Sequence, residues 1–259
     1  MSMDIHPSAV ISSHAHLDPS VKVGPFCTIG DHVTIGQETV LVSHVSLAGR
    51  NRIGARNRIY PFVSIGAPPQ DTGYKGEDTR VIIGDDNIIR EYTSIHRATT
   101  KQDWETVIGD GNYIMAYSHI AHDCSLGNKI ILSNLATLAG HVTIGDYTIL
   151  SGLAAVHQFV RIGAHVFVGG KAGIERDVPP FMITAGDRAR LYGINRIGLS
   201  RHGFSQDAID GLKKAYRIIW RDNKKLSEGV DQVRKEMEPF PELETLLDFL
   251  NDSERGIMR

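Results

Sequence analysis

The chain has 259 residues, a formal net charge of −2 and 7% aromatic residues. Its length allows one domain or two, and its near-neutral charge gives no global footprint for nucleic-acid binding. No apolar run approaches the roughly 18 residues that a membrane-spanning helix needs, and the N-terminus has no basic region leading into an apolar core. Neither a transmembrane segment nor a signal peptide is therefore expected, and a cytoplasmic protein is.

From the start of the chain an aliphatic residue recurs every six positions: Ile5, Ile11, Leu17, Val23, Ile29, Ile35, Leu41, Leu47, Ile53, Ile59 and Ile65. Period six fits neither the helical turn nor the two-residue alternation of a strand. It matches the hexapeptide class of β-helix, in which each short strand buries its anchor and the chain then turns. Three hexapeptides make one coil in that class, so residues 18 apart should stack, with coils about 4.8 Å apart. Glycine often follows the anchor, as at Gly24, Gly30, Gly36, Gly54 and Gly66, and is expected to supply the tight corners. The cysteines, Cys27 and Cys124, each fall four residues after an anchor, a slot that elsewhere takes Val33, Thr39, Ala136, Val142 and Ala154. Both are expected to be small buried thiols rather than disulfide partners.

The period breaks twice. Residues 67–81 are rich in proline, glycine and charge, and read as a loop thrown out of the solenoid. The period resumes at Ile83, Ile89 and Ile95, then breaks again over 97–107. Insertions in solenoids tend to project from one face, often the binding face. From Ile108 to Ile174 every sixth residue is again aliphatic, and Val178-Pro179-Pro180 should end the ladder because proline removes a donor.

After Arg190 the pattern becomes helical. Phe204-Ser205 reads as a staple residue and an N-cap, followed by Ile209, Leu212, Ala215, Tyr216 and Ile219 at helical spacing. Ser227 is expected to cap a second helix through Val230, Val233 and Met237; Pro241 opens a third carrying Leu243, Leu246, Leu247 and Leu250. The expected organisation is thus mainly β: a parallel β-helix over 1–186, then a small helical domain over 187–259 that caps its open end. Lys213, Lys214, Arg217, Arg221, Lys224 and Lys225 make part of that domain basic, either as a solvated helix face or as a landing surface for an acidic partner.

Chemistry points to Ser118-His119-Ile120-Ala121-His122-Asp123-Cys124. One coil beyond His122 lies Gly140 and another coil on lies Gln158, with His141 and His157 beside them. An imidazole, an unobstructed backbone amide and a side-chain amide on one outer edge suit acyl transfer. Neutral histidine is a general base near pH 7, and a glycine amide can donate to a developing oxyanion. Asp123 could orient the ring, although neighbours in a strand face opposite sides. With Cys124 expected inward, no Ser or Cys nucleophile stands beside the histidine, so direct attack by a substrate hydroxyl on a thioester is the simpler path. The rival readings are zinc held by His119, His122 and His141, and a structural solenoid, which would not need the histidine-rich edge.

Several stretches resemble one family: Pro69-Gln70-Asp71, Ile95-His96-Arg97, His119–Cys124, Leu138-Ala139-Gly140-His141-Val142, Ala155-Val156-His157-Gln158-Phe159, Asp177-Val178-Pro179-Pro180, Gly193-Ile194-Asn195 and Arg201-His202-Gly203-Phe204-Ser205. In that order they resemble the acyl-carrier-protein-dependent UDP-N-acetylglucosamine O-acyltransferases that open lipid A biosynthesis. The resemblance implies a left-handed β-helix, an exception to the usual right-handed crossover, in a homotrimer with active sites between subunits. It implies His122 as general base, Asp123 as its orienting acid and the Gly140 amide as oxyanion donor. Asp71, His96, His119, His141, His157 and Gln158 would bind substrate, with Asn195 and Arg201 at the nucleotide end. Gly170 falls at the acyl-chain ruler, and glycine there implies an open groove and a longer 3-hydroxyacyl chain. The partners implied are the UDP-sugar and acyl carrier protein, whose phosphopantetheine brings the acyl group; no further cofactor and no metal is implied.

One stretch departs from the pattern. The family's loop reads Gln-Asp-Leu-Lys-Tyr with a lysine that touches substrate, whereas here Gly73 holds that place and Lys75 follows two residues on. Some relatives use a UDP-sugar with a 3-amino group, and these residues do not discriminate the two acceptors. The N-acyltransferases later in the same pathway share the repeat but carry an extra N-terminal domain, whereas the hexapeptides here begin at Ile5.

Overall fold

The computed structural model describes residues 4–222 and 225–259. Short strands, mostly of two residues, run from Asp4–Ile5 to Gly173–Ile174 and are dealt in turn to three sheets of eleven, nine and eight strands among the described residues. Strands three apart in the chain pair in parallel: His119–Ile120 lies between Ser94–His96 and Thr137–Leu138. The result is a three-sided, left-handed parallel β-helix. Residues 18 apart stack wherever the period is unbroken, as Thr137 on Ala155. Across the two interruptions the offset lengthens, yet Ile65, Ile95 and Ile120 remain opposite one another. Residues 68–79 and 97–104 therefore leave the prism without slipping its register. A one-residue slip would turn every anchor to the outside.

The anchors fill the prism. Ile35, Ile59, Ile65, Ile95, Ile120 and Leu138 are fully buried, each contributing about 1.5–3 kcal/mol by removal from water. The first coil is the exception: Ile5 is 37% exposed, because no described coil lies beneath it. Cys27 and Cys124 are buried and free, and burial pushes the Cys124 thiol up to about 12.

The glycines after the anchors do not make the corners. The left-handed backbone falls two residues later, on Phe26, His32, Glu38, Arg56, Asp123 and their equivalents, with φ near +60°. Of the five glycines expected to turn the chain, only Gly66 has positive φ, at +79°. The others sit where the next coil approaches closely. A Cβ on Gly36 would lie 2.7 Å from the Gly54 carbonyl carbon, and one on Gly54 2.6 Å from the Gly84 oxygen. Glycine is required there by space between coils rather than by backbone freedom.

The C-terminal end also differs from the expected switch to helix after Arg190. Met182–Ala185 extends the eleven-stranded sheet in parallel, and Arg190–Ile194 pairs with it antiparallel. The prolines end the hexapeptides, but the sheet continues because Met182–Ala185 still finds unpaired backbone on Phe167–Val168. Helix α1 (Arg196–Arg201) follows, then α2 (Gln206–Trp220), α3 (Leu226–Glu236) and α4 (Pro241–Asn251). Ser205 caps α2 by accepting from the Ala208 N–H at 3.1 Å. Ser227 does not cap α3; it is the second helical residue, and Lys225 is the N-cap, its N–H donating to the Glu228 carboxylate. Pro241 opens α4 as expected. Ile209, Leu212, Ala215, Val233, Leu243 and Leu246 pack these helices into one core with Leu191 and Ile194. The final residues close the end of the prism as well, with Ile257 bridging to Asp177 in parallel. Among the described residues no helix is long and apolar enough to cross a membrane.

Candidate active site

His122 and Asp123 sit on the corner between the nine-stranded sheet, entered at His119–Ile120, and the eight-stranded sheet, entered at Ser125–Leu126. Being at a corner resolves the difficulty of neighbours facing opposite ways. Asp123 takes φ +59°, a conformation that aspartate tolerates better than most residues. Its carboxylate is thereby brought within 2.7 Å of His122 Nδ1. The Asp123 side chain is wholly buried, while that of His122 keeps 14% exposure.

Asp123 is held from several sides. The Thr99 N–H donates to both carboxylate oxygens at 3.1 Å, and the Thr99 hydroxyl donates to Oδ2 at 2.8 Å. The Asp123 N–H donates to the Thr106 hydroxyl. Burial works against the charge, but the hydrogen bonds from His122 and Thr99 outweigh it and hold the carboxyl below the usual carboxylate range. An ionised Asp123 accepts from His122 Nδ1–H and leaves Nε2 as the acceptor.

Gly140 stacks one coil beyond. A Cβ there would lie 2.5 Å from His122 Cε1 and 2.8 Å from Nε2, so the imidazole occupies the space that any other residue would fill. The Gly140 N–H has no hydrogen-bond acceptor among the described residues, while its carbonyl accepts from Phe159. His141 stacks on Phe159 with centroids 4.3 Å apart, meets His122 edge-on, and shares a 2.6 Å hydrogen bond between its Nδ1 and Gln102 Oε1. Burial lowers the pKa of both His141 and His119. His119 bonds the Ser94 hydroxyl through Nδ1 at 2.8 Å and meets His96 edge-on. His96 is buried with Nδ1 lacking a partner among the described residues, and burial, then His119 and His122, push it down to about 4.

Asp71, from the first loop, makes a 2.5 Å ion pair with Lys101 of the second and accepts from the Gly73 N–H at 2.7 Å. Lys101, then the Gly73 N–H, hold its carboxyl below the usual range. His157 and Gln158 are exposed, and His157 Nδ1 lies 2.7 Å from an Arg255 Nη2.

Three expected site residues lie elsewhere on the chain. Asn195 caps α1, accepting from the Gly198 N–H and donating to the His165 carbonyl, at the corner between the eight- and eleven-stranded sheets. Arg201 is exposed in the last turn of that helix. Gly170 is exposed on the third corner, between the eleven- and nine-stranded sheets, where an added Cβ would meet only the Gly152 oxygen at 3.5 Å.

Thr99, Lys101, Gln102 and Thr106 were not among the expected site residues. The interruption itself was the signal, but nothing in its composition says which of its polar residues turns inward. The zinc set is also different: His122, Asp123 and His141 have ligand atoms within 4.8 Å of one another, and His119 is not of that group. Asp123 already accepts from Thr99 and His122, which leaves it little capacity for an ion. Lys224 lies outside the described residues; Lys213, Lys214, Arg217, Arg221 and Lys225 are exposed.

Comparison with known proteins agrees with this architecture. Residues 105–140 match the family model for bacterial transferase hexapeptides (six repeats), and residues 177–258 match that for domain 2 of UDP N-acetylglucosamine O-acyltransferase. The chain is 53% identical to the acyl-[acyl-carrier-protein]–UDP-N-acetylglucosamine O-acyltransferase of Thermodesulfovibrio yellowstonii, covering 99% of each chain. It is 48% identical to the protein of that name from Syntrophobacter fumaroxidans, covering 99% of this chain and all of the other. Among solved structures, the Acinetobacter baumannii protein superposes with a TM-score of 0.96 at 42% identity, covering 99% of this chain and 100% of that one. The UDP-N-acetylglucosamine acyltransferase of Campylobacter jejuni gives 0.92 at 36% identity, covering 98% of each. With full-length identity at this level, the chain belongs to the acyl-[acyl-carrier-protein]–UDP-N-acetylglucosamine O-acyltransferase family.

Proposed function

We propose that the protein moves a 3-hydroxyacyl chain from acyl carrier protein to the glucosamine 3-hydroxyl of UDP-N-acetylglucosamine, the first step of lipid A biosynthesis. The observation that carries this reading is His122, oriented by the buried, ionised Asp123 and laid across Gly140. His122 Nε2 takes the proton of the 3-hydroxyl as its oxygen attacks the thioester carbonyl. The Gly140 N–H donates to the resulting oxyanion. Collapse expels the phosphopantetheine thiolate, which takes the proton back from His122. No covalent enzyme intermediate is needed, because Cys124 is buried and its thiol is raised to about 12. The acyl group arrives on its carrier, so the reading calls for no other cofactor and no metal.

His122–Asp123 supply the base that a hydroxyl acceptor needs; the alternative reading, transfer to the 3-amino analogue, needs less activation and is separated by experiment. We further propose a homotrimer. One chain puts His122, Asn195 and Gly170 on three different corners, so a substrate that touches all of them requires a second copy. Phe62, Tyr92, Tyr117, Leu135 and Leu153 form an exposed apolar stripe on the corner that carries Gly170, the kind of surface a subunit contact or an acyl chain would cover. Lys213, Lys214, Arg217 and Arg221 give α2 an exposed basic flank suited to steering an acidic carrier. The two free cysteines accord with a reducing compartment, the cytoplasm.

The test is acyl transfer from 3-hydroxyacyl carrier proteins of several chain lengths to the 3-hydroxyl and 3-amino UDP-sugars. Transfer of longer chains to the hydroxyl sugar is expected. His122→Ala should lose about 10²-fold or more in turnover while keeping the wild-type melting temperature and sedimentation as a trimer. Transfer only to the amino sugar would change the acceptor; transfer to neither would overturn the reading.

A further inference from the structure

The second loop does more than frame the site. Within four residues it touches three separate groups: Thr99 holds Asp123, Lys101 holds Asp71, and Gln102 holds His141. Thr99 and Gln102 satisfy buried polar atoms of partners that are themselves mostly buried. Lys101 is different in kind. Its side chain is 59% exposed while that of Asp71 is only 14% exposed, so the ammonium is tethered at one edge and open to solvent on the other.

An ammonium has three N–H donors, and the ion pair with Asp71 uses one direction. The first loop offers no competing cation at this point. The side chain of Lys75 is exposed and its charge acts on Glu77, whose Oε2 also accepts from the Lys75 N–H, and Gly73 brings only its own N–H to Asp71. A fixed carboxylate with an ammonium beside it is a paired acceptor and donor, matched to the hydroxyl and carbonyl oxygens of an N-acylated sugar.

On the reading of the site given above, we propose that Lys101 is a substrate-positioning residue. Held by Asp71 across the two loops, it donates to the sugar of the nucleotide-sugar acceptor and supplies the cationic contact that Gly73 cannot. The contact orients the sugar and is made equally in the bound and the reacting states, so it lowers KM rather than raising kcat.

Steady-state kinetics with UDP-N-acetylglucosamine as the varied substrate test this. Wild-type transfer is measured first, and its absence would strike at the proposed reaction rather than at Lys101. Lys101→Met, which keeps the aliphatic stem, is expected to raise KM about tenfold, the size of one charge-assisted hydrogen bond, with kcat within about twofold. Lys101→Arg should retain most of the affinity. Adding Gly73→Lys to Lys101→Met should recover it, since a Cβ at Gly73 meets only Asp71 Oδ1 at 3.2 Å. Lys75→Ala should change nothing. An unchanged KM in Lys101→Met, a fall in kcat alone, or a KM loss in Lys75→Ala equal to that of Lys101→Met would each overturn the assignment.

Discussion

Gly140 shows how narrow the tolerance of the site is. The imidazole of His122 lies over its Cα, and a single methyl would stand 2.5 Å from Cε1, well inside contact. Gly140 has no positive φ, so alanine is acceptable to the backbone and the clash falls on the ring. Gly140→Ala is therefore expected to leave the melting temperature nearly unchanged while cutting kcat by about 10²-fold, because a misplacement of roughly 1 Å at a reacting group costs that much. A crystal structure of the variant should show the His122 ring displaced and its 2.7 Å contact with Asp123 lengthened. Unchanged kcat with a displaced ring would remove His122 from the chemistry. The placement of His122 against Gly140 was legible from an 18-residue spacing. The supports were not: Thr99 reaches Asp123 from 24 positions away through a loop whose path no periodicity describes.

Among the elements, the strands are short and individually weak, and their order comes from stacking coils in register. The helices depend more on local signals, and those signals differ in quality. Ser205 is a genuine cap, accepting from the Ala208 N–H, and the hydrophobic residues after it all turn inward. Ser205→Ala should lower stability by about 1 kcal/mol, read as a lower denaturant midpoint with an unchanged slope. The same substitution at Ser227 should have a smaller effect, because Lys225 occupies the cap position of α3. Equal effects at the two serines would contradict the assigned boundaries. Ser227 misled because serine before an apolar run reads as a cap, while Glu228, reaching back to the Lys225 N–H, was the better signal.

Across the whole molecule, one buried and one half-buried histidine, His96 and His165, tie stability to pH. Burial pushes His96 and His165 down to about 4; the neighbouring His119 acts on the first and His202 on the second. In the unfolded chain both return to about 6.5. The unfolded state then binds more protons below that value, so stability is fully present above about pH 6.5 and falls as pH drops toward 4. Melting temperatures over that range should decline on acidification. His165→Phe, which preserves the stack on Tyr147, should reduce the decline. A variant with the wild-type pH dependence would show that His165 is protonated at no cost.

The six-residue repeat was enough to identify three short strands per coil, the inward anchors, the buried cysteines and the edge that carries His122 and Gly140, because each follows from covalent spacing and side-chain size. Family membership was equally visible in motifs that run the length of the chain. What spacing could not reach was anything made by chain segments that leave the period. The antiparallel pair at the C-terminal end forms because the last coil offers unpaired backbone. Asp71, Lys101, Gln102 and Thr99 meet the site because two loops fold back across one corner. Glycine follows the anchors because the neighbouring coil leaves those positions no room for a Cβ, while the left-handed turns fall on other residues. These are matters of space between distant segments, set when the coils close on one another.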